Sequence, residues 1–149
     1  MFRSIADIID NDQEKHPRYH RLAVQYMFLH PKKFEEHLDI STDGTLEVYL
    51  EKMKDEGTWG GDHELEALSK VLKRQFVIYT DSFEIYSYGD EFVALRDPVR
   101  LAYDRSKLHY SSLRLRNEPN NEEEIEESVN IPSEKRNYSN FNISNKEKK

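Results

Sequence analysis

The sequence contains no cysteine and only one tryptophan among its 149 residues. The lack of cysteine excludes disulfides, cysteine-based zinc sites and any reaction in which a thiol of this chain is the nucleophile. No apolar run approaches the roughly 20 residues of a membrane-spanning helix, and the first residues lack the basic-then-apolar pattern of a secretory signal. We therefore expect no membrane association and a location in the cytoplasm, which could also include the nucleus.

An excess of positive charge is also absent, since the formal net charge is −7. Phosphate binding needs concentrated lysine and arginine, so we expect no nucleic-acid partner. The apolar share of 36% is low and the charged share of 34% is high, which indicates that part of the chain lies outside any hydrophobic core. The length is typical of one domain.

The boundary of that domain is predicted from a change in composition. From Arg114 onward the sequence is rich in Asn, Glu, Lys and Ser, with isolated apolar residues. Such a segment cannot offset a backbone entropy cost of roughly 1 to 2 kcal/mol per residue. We therefore predict a folded domain over residues 1–113 and a disordered polar tail over 114–149.

Helical periodicity fills the first half of the domain, and strand-like runs fill the second. Phe2, Ile5, Ile8 and Ile9 recur at helical spacing, and three further amphipathic helices and a short one are expected before residue 73. Four β-branched or aromatic runs follow, separated by polar turns: Phe76 to Thr80, Phe83 to Tyr88, Val99 to Tyr103 and His109 to Leu113. Helices first and strands later predict an α+β domain, a small mostly antiparallel sheet packed between helices.

Several local features accompany these predictions. Pro17 suits the first turn of the second helix, whose apolar positions predict a buried face: Leu22, Ala23, Tyr26, Met27 and Leu29. Gly57 is expected to cap the end of the helix through Met53, and Asp62 the start of the next one.

The segment Gly57-Thr58-Trp59-Gly60-Gly61-Asp62 is the only cluster of glycines and holds the only tryptophan. Adjacent glycines allow a close approach of another backbone, because neither has a Cβ atom. Two interpretations stand. Either the segment is a tight linker with Trp59 inserted into the core, or it is the wall of a narrow channel for an extended peptide.

His109 stands at the head of an apolar strand, directly after a polar turn. A histidine in that place can act as an acid or base, since its ordinary pKa is near 6.5. The alternative is a surface or half-buried histidine without a chemical role. His16 and His20 have the i, i+4 spacing of a metal-chelating pair, but no third ligand has suitable spacing nearby, and we predict no metal site.

Four sequence motifs occur along the predicted domain, one after another. They are Met1-Phe2-Arg3-Ser4-Ile5-Ala6-Asp7, a looser match over His16 to Arg21 with Tyr26-Met27, the set Trp59, Gly60, Gly61, Glu64, Leu65, Ala67 and Leu68, and His109-Tyr110-Ser111-Ser112-Leu113. Together these segments resemble the ovarian tumour (OTU) family of cysteine deubiquitinases, in its OTU-domain-containing branch. The resemblance covers nearly the whole predicted domain and implies the papain-like OTU fold.

The resemblance also implies a reaction and its residues. In the family a thiolate attacks the isopeptide carbonyl that joins ubiquitin to its substrate, and backbone N–H groups hold the oxyanion. His109 would be the general base, and Ser111 stands where the family commonly has the Asn or Asp that orients the imidazole. The implied partner is ubiquitin or a ubiquitinated protein, and neither a metal nor an organic cofactor is implied.

The implied substrate-binding residues are Trp59, Gly60, Gly61 and Tyr110. Gly60 and Gly61 would border the groove that admits the Gly-Gly tail of ubiquitin.

The sequence departs from the family pattern at the nucleophile, because the Asp-Gly-x-Cys segment that precedes the first helix in the family is absent. We therefore predict no cysteine-dependent hydrolysis by this chain. Two hypotheses account for the departure. Either Met1 is an internal start and a longer product carries Asp-Gly-x-Cys, or the chain is a pseudoenzyme that binds ubiquitin or another partner without cleaving it.

Overall fold

The computed structural model describes residues 1–116 and the backbone of residues 141–144. Five α-helices precede the strands, as the sequence predicts: α1 Phe2–Asp10, α2 His16–Leu29, α3 Pro31–Glu35, α4 Leu46–Met53 and α5 Asp62–Leu72. Five strands follow: β1 Phe76–Thr80, β2 Ile85–Tyr88, β3 Val99–Asp104, β4 His109–Leu115 and β5 Phe141–Ser144. None of the helices in the described residues is long and apolar enough to cross a membrane.

The strands form one sheet in the order β2-β1-β3-β4-β5. Three of its pairings are antiparallel, and only β1 and β3 run parallel. Helix α1 packs on β3 and β4, and α5 packs on α2 and β2. The predicted α+β class and the mostly antiparallel sheet are confirmed.

The tail segment Phe141–Ser144 forms β5, which pairs with β4, and β4 itself continues two residues beyond the predicted boundary at 113. Without β5, β4 would be an edge strand, whose unpaired backbone groups are open to any extended segment regardless of side-chain composition. At these residues the structure therefore differs from the predicted disordered tail. Residues 117–140 and 145–149 lie outside the described residues, and for them the prediction of disorder stays a prediction.

The buried face of α2 matches the predicted one at Ala23 and Met27, and Leu22 and Tyr26 are partly buried against the core, but Leu29 is not buried. Tyr19, Ala23 and Met27, each four residues apart, are buried together with His20. Leu29 is 61% exposed, because it lies two residues, or about 200°, around the helix from Met27. The predicted role of Gly57 is also wrong, since α4 ends at Met53 and Lys54 is its C-cap.

The carboxylate of Asp7 fastens α1 to the sheet. It is buried on α1 and accepts hydrogen bonds from Ser112 Oγ at 2.8 Å and Arg114 Nη2 at 3.2 Å, both on β4. A buried carboxylate is stable only with such partners. These bonds fix the position of α1 relative to the strand that begins with His109.

His20 is a buried histidine whose Nε2 atom has no hydrogen-bond partner among the described residues. Its ring meets the Phe2 ring edge-on, with the ring centroids 4.8 Å apart. Burial lowers the pKa of His20 below its ordinary value. The neutral ring therefore packs as an aromatic residue of the core.

The variant His20→Phe should raise the free energy of unfolding by about 1 kcal/mol at pH 7, because it removes an unpartnered buried nitrogen. The gain should grow as the pH falls to 5. The unfolded state protonates His20 below about pH 6.5, whereas the folded state resists protonation, so the wild-type chain loses stability in this window. Urea unfolding at pH 7 and pH 5 measures both effects. His37→Phe, on an exposed side chain, is the control, and equal pH dependence in all three proteins would contradict the account of His20.

Candidate functional site

The predicted substrate-binding residues lie together around one surface pocket of about 350 Å³. The loop before α5 provides one wall, and β3, β4 and the turn between them provide the other. Seven residues line the pocket: Trp59, Gly60, Gly61, Asp62, Tyr103, Leu108 and Tyr110. Two segments about 50 residues apart in the sequence therefore form a single concave surface.

Trp59 stands on the rim of this pocket with 70% of its surface exposed. The interpretation of Trp59 as a residue inserted into the core is therefore wrong. A large aromatic side chain exposed beside a concavity offers contact area to a ligand at a low cost in conformational entropy.

Gly60 and Gly61 have different surroundings. A Cβ atom on Gly60 would overlap Met1 Cε and lie 2.8 Å from Phe2 Cζ, so Gly60 is where α1 packs against the loop. A Cβ atom on Gly61 would meet nothing within 4 Å. Gly60 therefore serves the internal packing, whereas Gly61 leaves open space above its own backbone.

The carboxylate of Glu64 fixes the backbone at Gly61. Glu64 is fully buried and accepts the Gly61 N–H at 2.6 Å on Oε2 and the Tyr49 hydroxyl at 2.7 Å on Oε1. Gly61 is the N-cap of α5, so this bond satisfies a backbone donor at the start of the helix. Asp62, the predicted cap, is instead the first helical residue.

The charge in the pocket is negative. Asp62 lines it and accepts the hydroxyl of Tyr88 at 2.8 Å on Oδ1. Burial, and after it the carboxylate of Asp62, raises the pKa of Tyr110, which therefore remains a neutral phenol.

His109 is the first residue of β4 and is exposed, adjacent to the pocket-lining Leu108 and Tyr110. Because side chains alternate along a strand, the imidazole projects to the opposite face from Tyr110 and to the same face as Ser111. No hydrogen bond reaches the imidazole from the described residues, and none joins it to Ser111. The structure thus places the predicted base beside the pocket but not among its lining residues.

The first turn of α1 lies against this site from the other side. The Met1 side chain packs beside Gly60, and Ser4 Oγ donates a hydrogen bond of 2.8 Å to the backbone carbonyl of Tyr110. The hydroxyl of Ser4 is thereby engaged in holding α1 on β4. The start of α1, the glycine loop and the histidine strand consequently meet at one place.

Sequence reasoning did not identify Asp62, Tyr103 and Leu108 as pocket residues, nor Glu64 as the residue that fixes Gly61. The signal for Glu64 was its place three residues after Gly61, the spacing of a capping box. No local signal marks Tyr103, because its contact with Tyr110, at 4.5 Å between ring centroids, depends on the pairing of β3 with β4.

The described residues contain no group of three or more His, Asp or Glu side chains that could hold a metal ion. The chemistry that the site can provide is therefore that of an aromatic pocket with one carboxylate, an open backbone at Gly61 and an adjacent imidazole.

Known proteins resemble this chain in sequence. A sequence profile described as OTU-like cysteine protease matches residues 1–112. The OVARIAN TUMOR DOMAIN-containing deubiquitinating enzyme 7 of Arabidopsis thaliana is 29% identical over 117 residues, which covers 76% of this chain and 30% of that protein. The Putative ubiquitin thioesterase 232R of Invertebrate iridescent virus 3 is 30% identical over 125 residues, covering 76% of this chain and 14% of that protein. The chain thus spans less than a third of these relatives.

Solved structures share the fold. The OTU domain of OTUD1 superimposes with a TM-score of 0.63 at 20% identity, over 74% of this chain and 75% of that one. An ovarian tumor domain solved in complex with ubiquitin gives a TM-score of 0.61 at 18% identity, over 74% of this chain and 60% of that one. The predicted papain-like OTU fold is confirmed.

Proposed function

The chain belongs to the OTU-like cysteine protease family, and from this premise we propose that its pocket at Trp59 binds ubiquitin, free or attached to another protein. The observation that carries the proposal is the open backbone at Gly61 beside aromatic walls, where a narrow extended peptide can lie. A related domain solved in complex with ubiquitin supports this choice of partner.

The proposed activity of this chain is binding without hydrolysis. The chain contains no cysteine, so no thiolate is available to attack an isopeptide carbonyl. Ser4, the hydroxyl nearest the start of α1, already donates a hydrogen bond to the backbone carbonyl of Tyr110, and no hydrogen bond joins it to a histidine among the described residues. Ubiquitin bound at the pocket therefore meets no thiol nucleophile of this chain.

A second candidate function is isopeptide hydrolysis by a form of the protein that carries Asp-Gly-x-Cys ahead of Met1. The packing of Met1 beside Gly60 favours this second function. Gly60 lines the pocket, so residues that preceded Met1 would lie at the edge of the pocket. In that form we propose His109 as the general base and Ser111, on the same face of β4, as the residue that orients its imidazole.

The variant Gly61→Asn tests the proposed binding site. Asparagine is a favoured N-cap residue, and a Cβ atom at Gly61 meets nothing within 4 Å, so the fold should keep its thermal midpoint within a few degrees. The new side chain fills the open space above the loop and should weaken ubiquitin binding at least about tenfold. Titration calorimetry with ubiquitin measures the effect.

Gly57→Ala is the matched control, since it changes a glycine of the same loop that does not line the pocket. It should bind ubiquitin as the wild-type chain does. Unchanged affinity in Gly61→Asn, with the fold intact, would rule out this pocket as the ubiquitin site.

A further inference from the structure

Three of the seven pocket-lining residues are aromatic, which gives the pocket a specific chemistry. Trp59 forms the exposed rim, and Tyr103 and Tyr110 form the opposite wall with their ring centroids 4.5 Å apart and their planes inclined by 32°. Aromatic faces carry negative electrostatic potential and attract cations that lie within about 6 Å.

The charge in the pocket has one sign. Asp62 is the only ionisable residue besides the tyrosines among the lining residues, and neither lysine nor arginine is one of them. Its Oδ1 atom accepts the Tyr88 hydroxyl, and no hydrogen bond from the described residues reaches Oδ2. The carboxylate therefore keeps one oxygen available for a ligand.

We propose that this pocket holds a cationic side chain of a bound peptide, an ammonium or a guanidinium group, between the rings of Trp59, Tyr103 and Tyr110 and the carboxylate of Asp62. The proposal rests on the proposed function for the identity of the partner, but the chemistry of the pocket does not depend on it. The cation would belong to a residue next to the segment that lies over Gly61.

The carboxylate of Asp62 favours a cation over an apolar side chain as the occupant of the pocket. A leucine or norleucine side chain in the pocket would remove water from Asp62 without replacing the lost hydrogen bonds, and this desolvation is costly. An ammonium or guanidinium group replaces that water with a charge-assisted hydrogen bond. A guanidinium group can in addition lie flat on a tyrosine or tryptophan ring.

The test uses the wild-type chain and small probes. Trp59 is the only tryptophan, so its fluorescence reports occupancy of the pocket directly. The probes are N-acetyl-lysine methylamide, N-acetyl-arginine methylamide and the neutral N-acetyl-norleucine methylamide. We expect a saturable change in emission with the two cations at millimolar concentration, and about fivefold weaker binding of the norleucine probe.

Two variants test whether Asp62 supplies the charge that binds the cation. Asp62→Asn keeps an acceptor for Tyr88 and removes the negative charge, and it should weaken both cationic probes about fivefold but should not weaken the norleucine probe, whose desolvation penalty it reduces. Glu36→Gln, an equal change of net charge at the C-cap of α3 and outside the pocket, should bind all probes as the wild-type chain does.

Equal affinity for norleucine and the cations would show an apolar pocket and overturn the proposal, as would the absence of any saturable change. Ubiquitin binding is measured separately from these probe titrations. If ubiquitin binds but neither cationic probe gives a saturable change, the cation site is wrong and the proposed function stands. If the cations bind and ubiquitin does not, the pocket chemistry stands and the proposed partner is wrong.

Discussion

A chain extended ahead of Met1 by Asp-Gly-x-Cys should react covalently with ubiquitin that carries an electrophile at its C-terminus. The rate should exceed that of the unextended chain at least about a thousandfold, since loss of a nucleophile typically costs several orders of magnitude. The start of α1 lies at the pocket, where Met1 packs beside Gly60 and Ser4 donates a hydrogen bond to the Tyr110 carbonyl on β4, the strand that begins at the proposed base His109. The adduct is measured as a mass increase equal to one probe molecule.

Two controls separate catalysis from chance reactivity of a new thiol. The extension Asp-Gly-x-Ser should form no adduct, because serine at this place lacks the nucleophilicity of a thiolate. His109→Gln in the cysteine-extended chain should lose most of the rate, because it removes the proposed base. An extended chain that reacts no faster than the unextended one would show that the histidine side of the site is also incompetent.

Replacing Glu64 by alanine should cause the largest loss of stability of any single substitution at the site, about 3 kcal/mol or more. The change leaves the Gly61 N–H and the Tyr49 hydroxyl without their partner in a buried place and opens a cavity. Chemical denaturation monitored by circular dichroism measures the free energy of unfolding.

Glu66→Ala is the matched control, on the same helix but with its partner Lys70 at the surface, and it should cost less than about 1 kcal/mol. Glu64→Gln should recover much of the lost stability, because a glutamine side chain can accept the Gly61 N–H and donate to the Tyr49 oxygen. A loss in Glu64→Ala no larger than that in Glu66→Ala would contradict the role of the buried carboxylate.

The secondary structure follows closely from the sequence, for a physical reason. The runs that become β1, β3 and β4 are β-branched or aromatic and are bounded by polar turns, so local preference and burial agree. The apolar spacing in α1 is equally unambiguous, and its end at Asn11, with a φ of 53°, uses the residue most tolerant of that conformation after glycine.

The parts that sequence reasoning missed depend on tertiary contacts. Asp7 and Glu64 are carboxylates, which composition alone assigns to the surface, and only the positions of Ser112 and Tyr49 make their burial stable. The exposure of Trp59 could not be predicted either, because a lone tryptophan fits a core as well as a pocket rim. Long-range pairing decides each of these cases.

The candidate site, like the fold, is predictable from the sequence only in part. The motif at Trp59, Gly60 and Gly61 and the strand that begins at His109 are visible in the sequence as separate segments. Their meeting around one pocket depends on the order of the strands and on the packing of α1, and neither follows from a local pattern. The charge of the pocket could not be predicted for the same reason, because Asp62 joins Tyr103 and Tyr110 only in the folded chain.

The most direct test of the central claim is a titration of isotope-labelled ubiquitin with this chain, followed by nuclear magnetic resonance. Binding without hydrolysis predicts saturable changes in the chemical shifts of ubiquitin, concentrated at its C-terminal tail. Diubiquitin in a parallel sample should remain intact. The absence of any shift change at millimolar concentration would contradict the claim that this chain retains the ubiquitin-binding surface of its family.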